Sequence, residues 1–535
     1  MSKRFKVGVI IDDNKISNWK HTTINKLQNQ DFIKLNLIHL KFKKQKKLID
    51  FSPTLFLIKL LYKIVQRIES KLFSEIGPNA FFKSEIDKTS IENEVSLNNS
   101  KNVAKHLKSS NYDVLINFST HKFNKKCINA PKYGIWEIFS GNNTLSNLYI
   151  GFQEVFLKRP THRISLQKLK GQKLNKVLYQ SYSQVNKFNL LRNNNQAFWK
   201  SPEIILRTIK NLQDPHDIVE QQYTTKSPTI DNSPIIFFFK LIFLLPFNYF
   251  QYFISKIKKR FVFDQWILMY QFSESPNHNF SFNTFKKILP PKDRLWADPF
   301  VISREGKYHI FIEELLFKEG KGFISHFTID EKGNYTIPEK IIENDYHMSY
   351  PLLIEDNGSL YMLPETNQNK TIEIYKCIDF PHKWKLEMNL MEDIEAVDTT
   401  IYYKDNKYWM FTNIRKNEGI AFEDELYIFS SDKLLSKDWV LHPQSPVVSD
   451  VTKSRPAGKI FKKNNTLYRP SQNSKYHYGY GLNIFEIVKL NEEEYEEKLI
   501  TSVIPDWDKE IVSIHTFNQD IEFSIIDAEA RRKRH

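Results

Sequence analysis

Ala297-Asp298-Pro299-Phe300-Val301-Ile302, a turn at Glu305-Gly306-Lys307, then Tyr308-His309-Ile310-Phe311-Ile312-Glu313-Glu314: this stretch reads as a β-hairpin. An apolar run of strand length stops at turn-forming residues and resumes as an aromatic-rich run. The form returns four times. Ser349 to Ile354, a turn at Asp356-Asn357-Gly358 and Leu360 to Glu365 give the second copy. Asp398 to Tyr403, a turn at Asp405-Asn406 and Tyr408 to Asn413 give the third. Arg455 to Ile460, a turn at Asn464-Asn465 and Leu467 to Asn473 give the fourth. His515-Thr516-Phe517, a turn at Gln519-Asp520 and Phe523 to Asp527 give the fifth. A period of about 50–60 residues suits a blade of four strands. Runs such as Thr371–Lys376 and Leu426–Ser430 then supply outer strands. A lone hairpin is marginal in water, so the copies must stack to bury a core. The expectation is an all-β five-bladed β-propeller over residues 291–535.

The repeat also predicts a site. The first residues of the innermost strands are Asp298, Ser349, Asp398, Arg455 and His515, all polar. Apolar residues would serve a structural channel better, because an unpaired buried polar group costs roughly 1–3 kcal/mol. Glu314, Glu365 and Gln472-Asn473 recur at the ends of the second strands, at the same rim or one layer out, and His347 precedes the second copy. Carboxylates about 5–10 Å apart across a sugar ring suit glycosyl chemistry. Asp298 and Asp398 are therefore the expected central pair, with Glu314 and Glu365 as further candidate catalytic carboxylates. Arg455 would hold a carboxylate or phosphate in bidentate fashion. His347, Ser349, Thr399, Gln472 and His515 complete the expected substrate contacts. Trp296, Tyr350 and Tyr478 read either as sugar-stacking rings or as core. A ring of charge pairs that merely stabilises the channel is the competing structural reading.

Outside the repeat, Lys6 to Ile11, Asp113 to Phe118 and Tyr133 to Ile138 read as buried strands alternating with helices. That pattern predicts an α/β domain with a mainly parallel sheet over residues 1–215, its functional groups beyond the strand C-termini. A basic, apolar inserted helix is expected within residues 40–75. Residues 216–290 read as a linker containing an apolar segment, Ile235 to Ile254, followed by Lys256-Ile257-Lys258-Lys259-Arg260. Lys240, Pro246, Asn248 and Gln251 interrupt it. Three readings stand: an interfacial helix on an anionic leaflet, an apolar helix packed between domains and, least favoured, a true membrane span.

The chain of 535 residues carries a net charge of +15. That charge favours anionic partners, yet no nucleic-acid module is recognisable, so nucleic acid is not an expected partner. Cys127 and Cys377 are the only cysteines, which excludes a zinc-finger spacing and a disulfide framework and fits a reducing cytoplasm. The sequence names no cofactor and no metal-ligand pattern.

Trp296-Ala297-Asp298-Pro299-Phe300, His347-Met348-Ser349-Tyr350-Pro351, Asp398-Thr399-Thr400, Ser454-Arg455-Pro456-Ala457-Gly458 and Arg469-Pro470-Ser471-Gln472 together resemble the N-terminal propeller of glucosamine inositolphosphorylceramide transferases. In that family a separate glycosyltransferase domain follows the propeller. None follows here, so the transferase activity is not expected to carry over. The propeller is also similar to the arabinanase and xylosidase five-bladed hydrolases. That likeness implies an Asp base at Asp298 and an Asp modulator at Asp398, but puts Arg455 where those enzymes carry a Glu acid. More weakly, residues 1–215 resemble the formyltransferase fold through Tyr112 to Asn117 and Ala130 to Trp136. The resemblance puts Glu137 and Phe139 where that family has Asn and His, and Phe139 cannot move a proton. Asn117 and His121 lie one loop early.

The expected function is a carbohydrate-active protein of cell-surface glycan synthesis or modification, cytoplasmic or peripheral at the inner membrane. Its expected partner is a sugar, a sugar phosphate or a lipid-linked glycan. The alternatives are formyl transfer to an amino sugar by the first domain, and a non-catalytic glycan-binding scaffold.

Overall fold

The computed structural model describes residues 4–42, 53–72, 77–86, 93–141, 152–171, 175–213, 234–272, 280 and 282–534. The expected junction at 215/216 lies outside them. The chain forms two compact units, residues 1–250 with 417–420, and residues 251–416 with 421–535.

The first unit is built on a seven-stranded sheet. Phe5–Ile11 is the middle one of its five parallel strands, between Ile33–Leu40 on one side and Val114–Asn117 on the other. Asn93–Leu97 and Ile135–Ser140 extend the parallel part outward. Thr161–Lys168 and Lys176–Gln184 add an antiparallel edge. Val7, Val9, Ile10 and Ile11 are completely buried, as a parallel strand covered on both faces requires. Helices Asn18–Gln28, Ser100–Ser109 and Ser201–Lys210 pack their apolar sides on the sheet. The inserted helix is Pro53–Leu72.

The second unit holds five antiparallel sheets. Four of them follow chain order. Arg294–Arg304, Lys307–Leu316, Gly322–Ile329 and Glu339–Ile342 form the first blade. Ser349–Asp356, Ser359–Thr366, Thr371–Asp379 and Lys383–Glu392 form the second. The third is led by Ala396–Lys404 and Lys407–Ile414, the fourth by Phe461–Lys463 and Thr466–Asn473. The fifth differs from expectation. Its inner hairpin, Phe517–Asp520 with Phe523–Lys533, is completed by Val262–Phe272 and Lys286–Ile288. Those two strands come from the segment read as linker. Pairing between strands so distant in sequence leaves no local trace, which is why the 291 boundary fell inside the fold.

Every neighbouring pair of blades shares buried apolar side chains. One cluster joins Phe311, Met362 and Met410 across the first three blades. Phe411 packs with Ile487, and Ile484 with Phe517. Phe523 and Leu268 meet Ile310 and close the ring. Four inner hairpins turn on the same device. Glu305-Gly306, Asn357-Gly358, Asp405-Asn406 and Asn464-Asn465 have positive φ at both residues. That is the type I′ geometry, whose twist matches the flanking strands.

The leading strands are also irregular at matching places. Register shifts fall between Ala297 and Phe300, Ser349 and Leu352, and Val397 and Thr400. Within them Asp298, Tyr350 and Asp398 adopt φ near +50° (48°, 49° and 49°). A left-handed residue in a bulge re-aims its side chain. The second copy therefore presents Tyr350, not Ser349, at the position of Asp298 and Asp398.

Candidate functional site

Side chains from all five blades meet where the leading strands bulge, in two linked groups. The first surrounds Asp298. Thr516 donates its hydroxyl to Asp298 Oδ1 at 2.6 Å, and His515 Nε2 stands 3.6 Å from the same oxygen. Asp527, fully buried, accepts the backbone N–H groups of Asp298, His515 and Thr516. Its Oδ2 lies 2.6 Å from His515 Nδ1, an ion-pair distance, although off the line an N–H hydrogen bond would take. Burial pulls the His515 imidazole down, but Asp527 and then Asp298 more than offset it and leave its pKa at about 9. Burial pushes Asp298 well above the ordinary carboxylate range. His515 opposes that shift, and Asp527, Asp398 and Glu313 add to it.

The second group surrounds Asp398. Arg455 Nε contacts Oδ2 at 2.5 Å and Nη2 contacts Oδ1 at 3.3 Å. Gln472 Nε2 donates to the same Oδ2 at 2.8 Å and to the Pro456 carbonyl at 3.2 Å. Both its amide hydrogens thus face acceptors, while Gln472 Oε1 is buried with no donor among the described residues. Glu365 accepts the Asp398 backbone N–H at 3.2 Å and lies 3.9 Å from Arg455 Nη2. Burial, then the Asp398 charge, hold Glu365 well above the ordinary range, against the pull of Arg455. Glu423 takes the remaining face of the guanidinium at 3.2 Å. Side-chain exposure rises from 3% at Asp398 through 10% at Arg455 to 26% at Glu423, so solvent reaches the group from the Glu423 side.

Tyr478 links the two groups. Its ring lies 4.9 Å from the Arg455 guanidinium and 5.1 Å from the His515 ring. Trp266 stacks on His515 at 4.1 Å and meets Tyr478 edge-on at 6.3 Å. Gly479, with φ +67°, allows this approach, because a Cβ there would come within 3.0 Å of Trp266 and 3.4 Å of His515. Next to this layer Tyr350 ties three blades together. Its hydroxyl pairs with Thr400 Oγ1 at 2.8 Å and accepts the Gly458 N–H at 2.7 Å.

Some expected residues stand elsewhere. Glu314 is turned away, held by Arg294 at 2.9 Å, Trp296 Nε1 at 3.2 Å and Ser325 Oγ at 2.7 Å. Successive strand residues face opposite ways, and it is Glu313 that the Asp298 carboxyl feels. Glu313 also pairs with His347 Nε2 at 3.3 Å. Thr399 Oγ1 is engaged with Thr412 Oγ1 at 2.9 Å within its own blade. Ser349 lies opposite Glu365 in the strand ladder. Trp296 is core. Arg455 is a partner of carboxylates rather than a free anion receptor. Sequence reading missed Glu313, Asp527, Glu423 and Trp266. A Pro after Asp298, Tyr350 and Arg455 was the one signal that could have aligned the second copy.

Asp298, His515 and Asp527 offer ligand atoms within 4.8 Å of one another, the donor types a metal ion accepts. The Asp527 oxygens already receive three backbone N–H groups. The three side chains face one another at ion-pair distances, 2.6 Å from His515 to Asp527 and 3.6 Å from His515 to Asp298.

In the first unit Asn117 ends its strand beside Glu137, the third residue of the adjacent parallel strand, and Asn117 Nδ2 donates to Glu137 Oε1. Burial raises the Glu137 pKa and lowers that of nearby Lys20 to about 8. His121 packs between Phe42 and Phe123. Phe139 continues the strand beyond Glu137.

A closed ring of five four-to-five-stranded sheets with polar groups gathered on its axis defines a five-bladed propeller with a buried, ion-paired centre. Residues 288–519 match the sequence family described as "Glucosamine inositolphosphorylceramide transferase 1, N-terminal". The chain is similar to glucosamine inositolphosphorylceramide transferase 1 of Oryza sativa subsp. japonica, 30% identical over 204 residues, covering 38% of this chain and 27% of the relative. The enzyme of the same name from Arabidopsis thaliana is 28% identical over 204 residues, covering 38% of this chain and 26% of its own length. The chain thus spans about a quarter of the length of these curated relatives. Among solved structures, an α-L-arabinofuranosidase from Podospora anserina in complex with cellotriose aligns with a TM-score of 0.34 and 10% identity, over 44% of this chain and 90% of that one. An α-L-arabinanase of Cellvibrio cellulosa complexed with arabinohexaose aligns with a TM-score of 0.32 and 12% identity, over 44% and 90%.

Proposed function

We propose that the propeller centre is a sugar site that carries out glycosyl chemistry, of transfer or hydrolysis type, in the making or modification of a cell-surface glycan. One observation carries this reading: at one buried centre that also holds the clamped Asp398, Asp298 and Glu365 are both pushed above the ordinary carboxylate range. Buried carboxyls displaced in this way are costly for stability and concentrate at functional sites. Glu365, whose carboxyl burial and the Asp398 charge push toward the protonated form, gives its proton to the glycosidic oxygen as the bond from the anomeric carbon to that oxygen breaks. The ionised fraction of Asp298 takes the proton of the acceptor hydroxyl that bonds to the anomeric carbon. Asp398, committed to Arg455 and Gln472, positions Glu365 through its backbone N–H. Gln472 Oε1 supplies an acceptor for a sugar hydroxyl. The relatives' names point to a glucosamine or a lipid-linked inositol phosphate as the kind of substrate. The acidic surroundings favour the amino sugar over the phosphate.

A second reading rests on the Arg455–Asp398 pair itself. A centre whose charges are internally neutralised can bind a glycan without turning it over. A panel of aryl glycosides and nucleotide sugars offered to the purified chain separates the two. Turnover lost in Asp298→Asn with the fold intact supports the first reading. Saturable binding with no turnover of any member supports the second. The parallel sheet also supports a formyltransferase-like first unit, with Phe139 in place of a proton-transfer group, so formyl transfer is not assigned to it.

A further inference from the structure

Two helices, Pro53–Leu72 and Pro234–Lys258, carry apolar stripes that nothing described covers. In the first helix Ile58, Val65 and Glu69 are buried. Phe56, Leu60, Ile64, Ile68 and Leu72, each one turn from the next, are at least 41% exposed. In the second helix Leu245 is buried, while Phe239, Phe243, Phe247, Phe250 and Phe253 are 48–67% exposed at steps of three and four. The two helices meet through a common cluster of Ile58, Val65 and Leu245 and through the Tyr249 hydroxyl, which donates to Glu69 at 2.9 Å. Soluble monomers rarely leave large contiguous apolar patches in water, so such a face marks a docking surface.

Charge selects the occupant. Lys63, Arg67 and Lys71 flank the first stripe, and Lys256, Lys258, Lys259 and Arg260 end the second, all exposed. Glu69, the one acid on either helix, is buried. A phenylalanine-rich stripe bordered only by cations fits lipid headgroups of negative charge. A second copy of the chain would bring two basic borders together, which repels. Among the described residues no helix is long and apolar enough to cross a membrane, and Pro246 lies inside the second helix. A helix with an exposed apolar stripe and a basic end suits the plane of the interface.

We infer that this two-helix face seats the protein on an anionic lipid leaflet. The inference is independent of the chemistry at the propeller centre. It is tested by flotation of the full chain with phosphatidylcholine vesicles, with and without roughly 30% phosphatidylglycerol. The expected result is binding to the anionic vesicles that weakens at least about tenfold when salt rises from about 0.1 M to about 0.5 M. Phe243→Asp with Phe250→Asp should abolish it. Lys258→Glu with Lys259→Glu and Arg260→Glu should remove the preference for anionic lipid. Absence of vesicle binding overturns the inference, as does binding indifferent to both sets of substitutions. A concentration-dependent dimer that the Phe243/Phe250 variant dissociates, with no vesicle binding, overturns it in favour of a second copy.

Discussion

Arg455 grips Asp398 with two guanidinium nitrogens, at 2.5 and 3.3 Å, in a place where both side chains are almost wholly buried. The pair joins the third and fourth blades and sets the electrostatics of the whole centre. Two charges removed from water are tolerable only together.

Removing one partner should therefore cost far more than removing both. Arg455→Met is expected to destabilise the chain by about 3–5 kcal/mol, since it strands a buried carboxylate. Adding Asp398→Asn should recover a large part of that loss. A double-mutant cycle in urea reads the coupling directly; equal, additive costs would show that the pair is not a unit.

Glu365→Gln and Glu314→Gln should separate cleanly. Glu365 is the raised carboxyl beside Asp398, whereas Glu314 is tied to Arg294, Trp296 and Ser325 away from the centre. The first change should lower sugar turnover by roughly 100-fold or more with little loss of stability. The second should lower the melting temperature and leave turnover per folded molecule intact. The opposite pattern in paired assays would move the proton donor to the first blade.

Stability should fall as pH rises above neutrality. The pKa of His515 is raised from 6.5 to about 9 in the folded chain. Its contribution is full below the unfolded value and is lost as pH climbs through the folded one. The loss is about 3 kcal/mol at most between pH 6.5 and 9. Melting temperatures across that window should slope downward, and His515→Gln should flatten the slope.

Tyr350→Phe should destabilise by about 1–3 kcal/mol, because the Gly458 N–H and the Thr400 hydroxyl lose a buried partner. Gly458→Ala should be worse. Its φ is +128° and a Cβ would meet the Phe517 carbonyl oxygen at 2.0 Å. Thermal melts of the two variants check the order.

The five hairpins could be read from the sequence because each is local. An apolar run, a turn pair and an aromatic run fall within some twenty residues, as Ala297 to Glu314 illustrates. Asp298 and Asp398 were legible for the same reason. The side-chain parity around them was not. Each bulge inserts an extra residue in a leading strand and exchanges which of two neighbours faces the axis, so Tyr350 displaced Ser349, while plain alternation along the second strand puts Glu313 rather than Glu314 toward Asp298. Trp266 was invisible for a third reason: it reaches His515 only through pairing with Glu529, more than 250 residues further along the chain. The buried runs at Val7–Ile11 and Val114–Asn117 announced the parallel sheet, because strands covered on both faces read as continuous apolar stretches.

The shared fifth sheet has a practical corollary. Val262–Phe272 bonds along its whole length to Phe523–Lys533, so the circle is fastened by a clasp whose halves lie at opposite ends of the propeller sequence. A recombinant fragment begun at residue 291 would leave the last strand with an open edge. The missing piece, supplied as a separate peptide, should zip into that gap, and rejoining the two ends through a new linker would let the circle be cut at any of the type I′ turns instead.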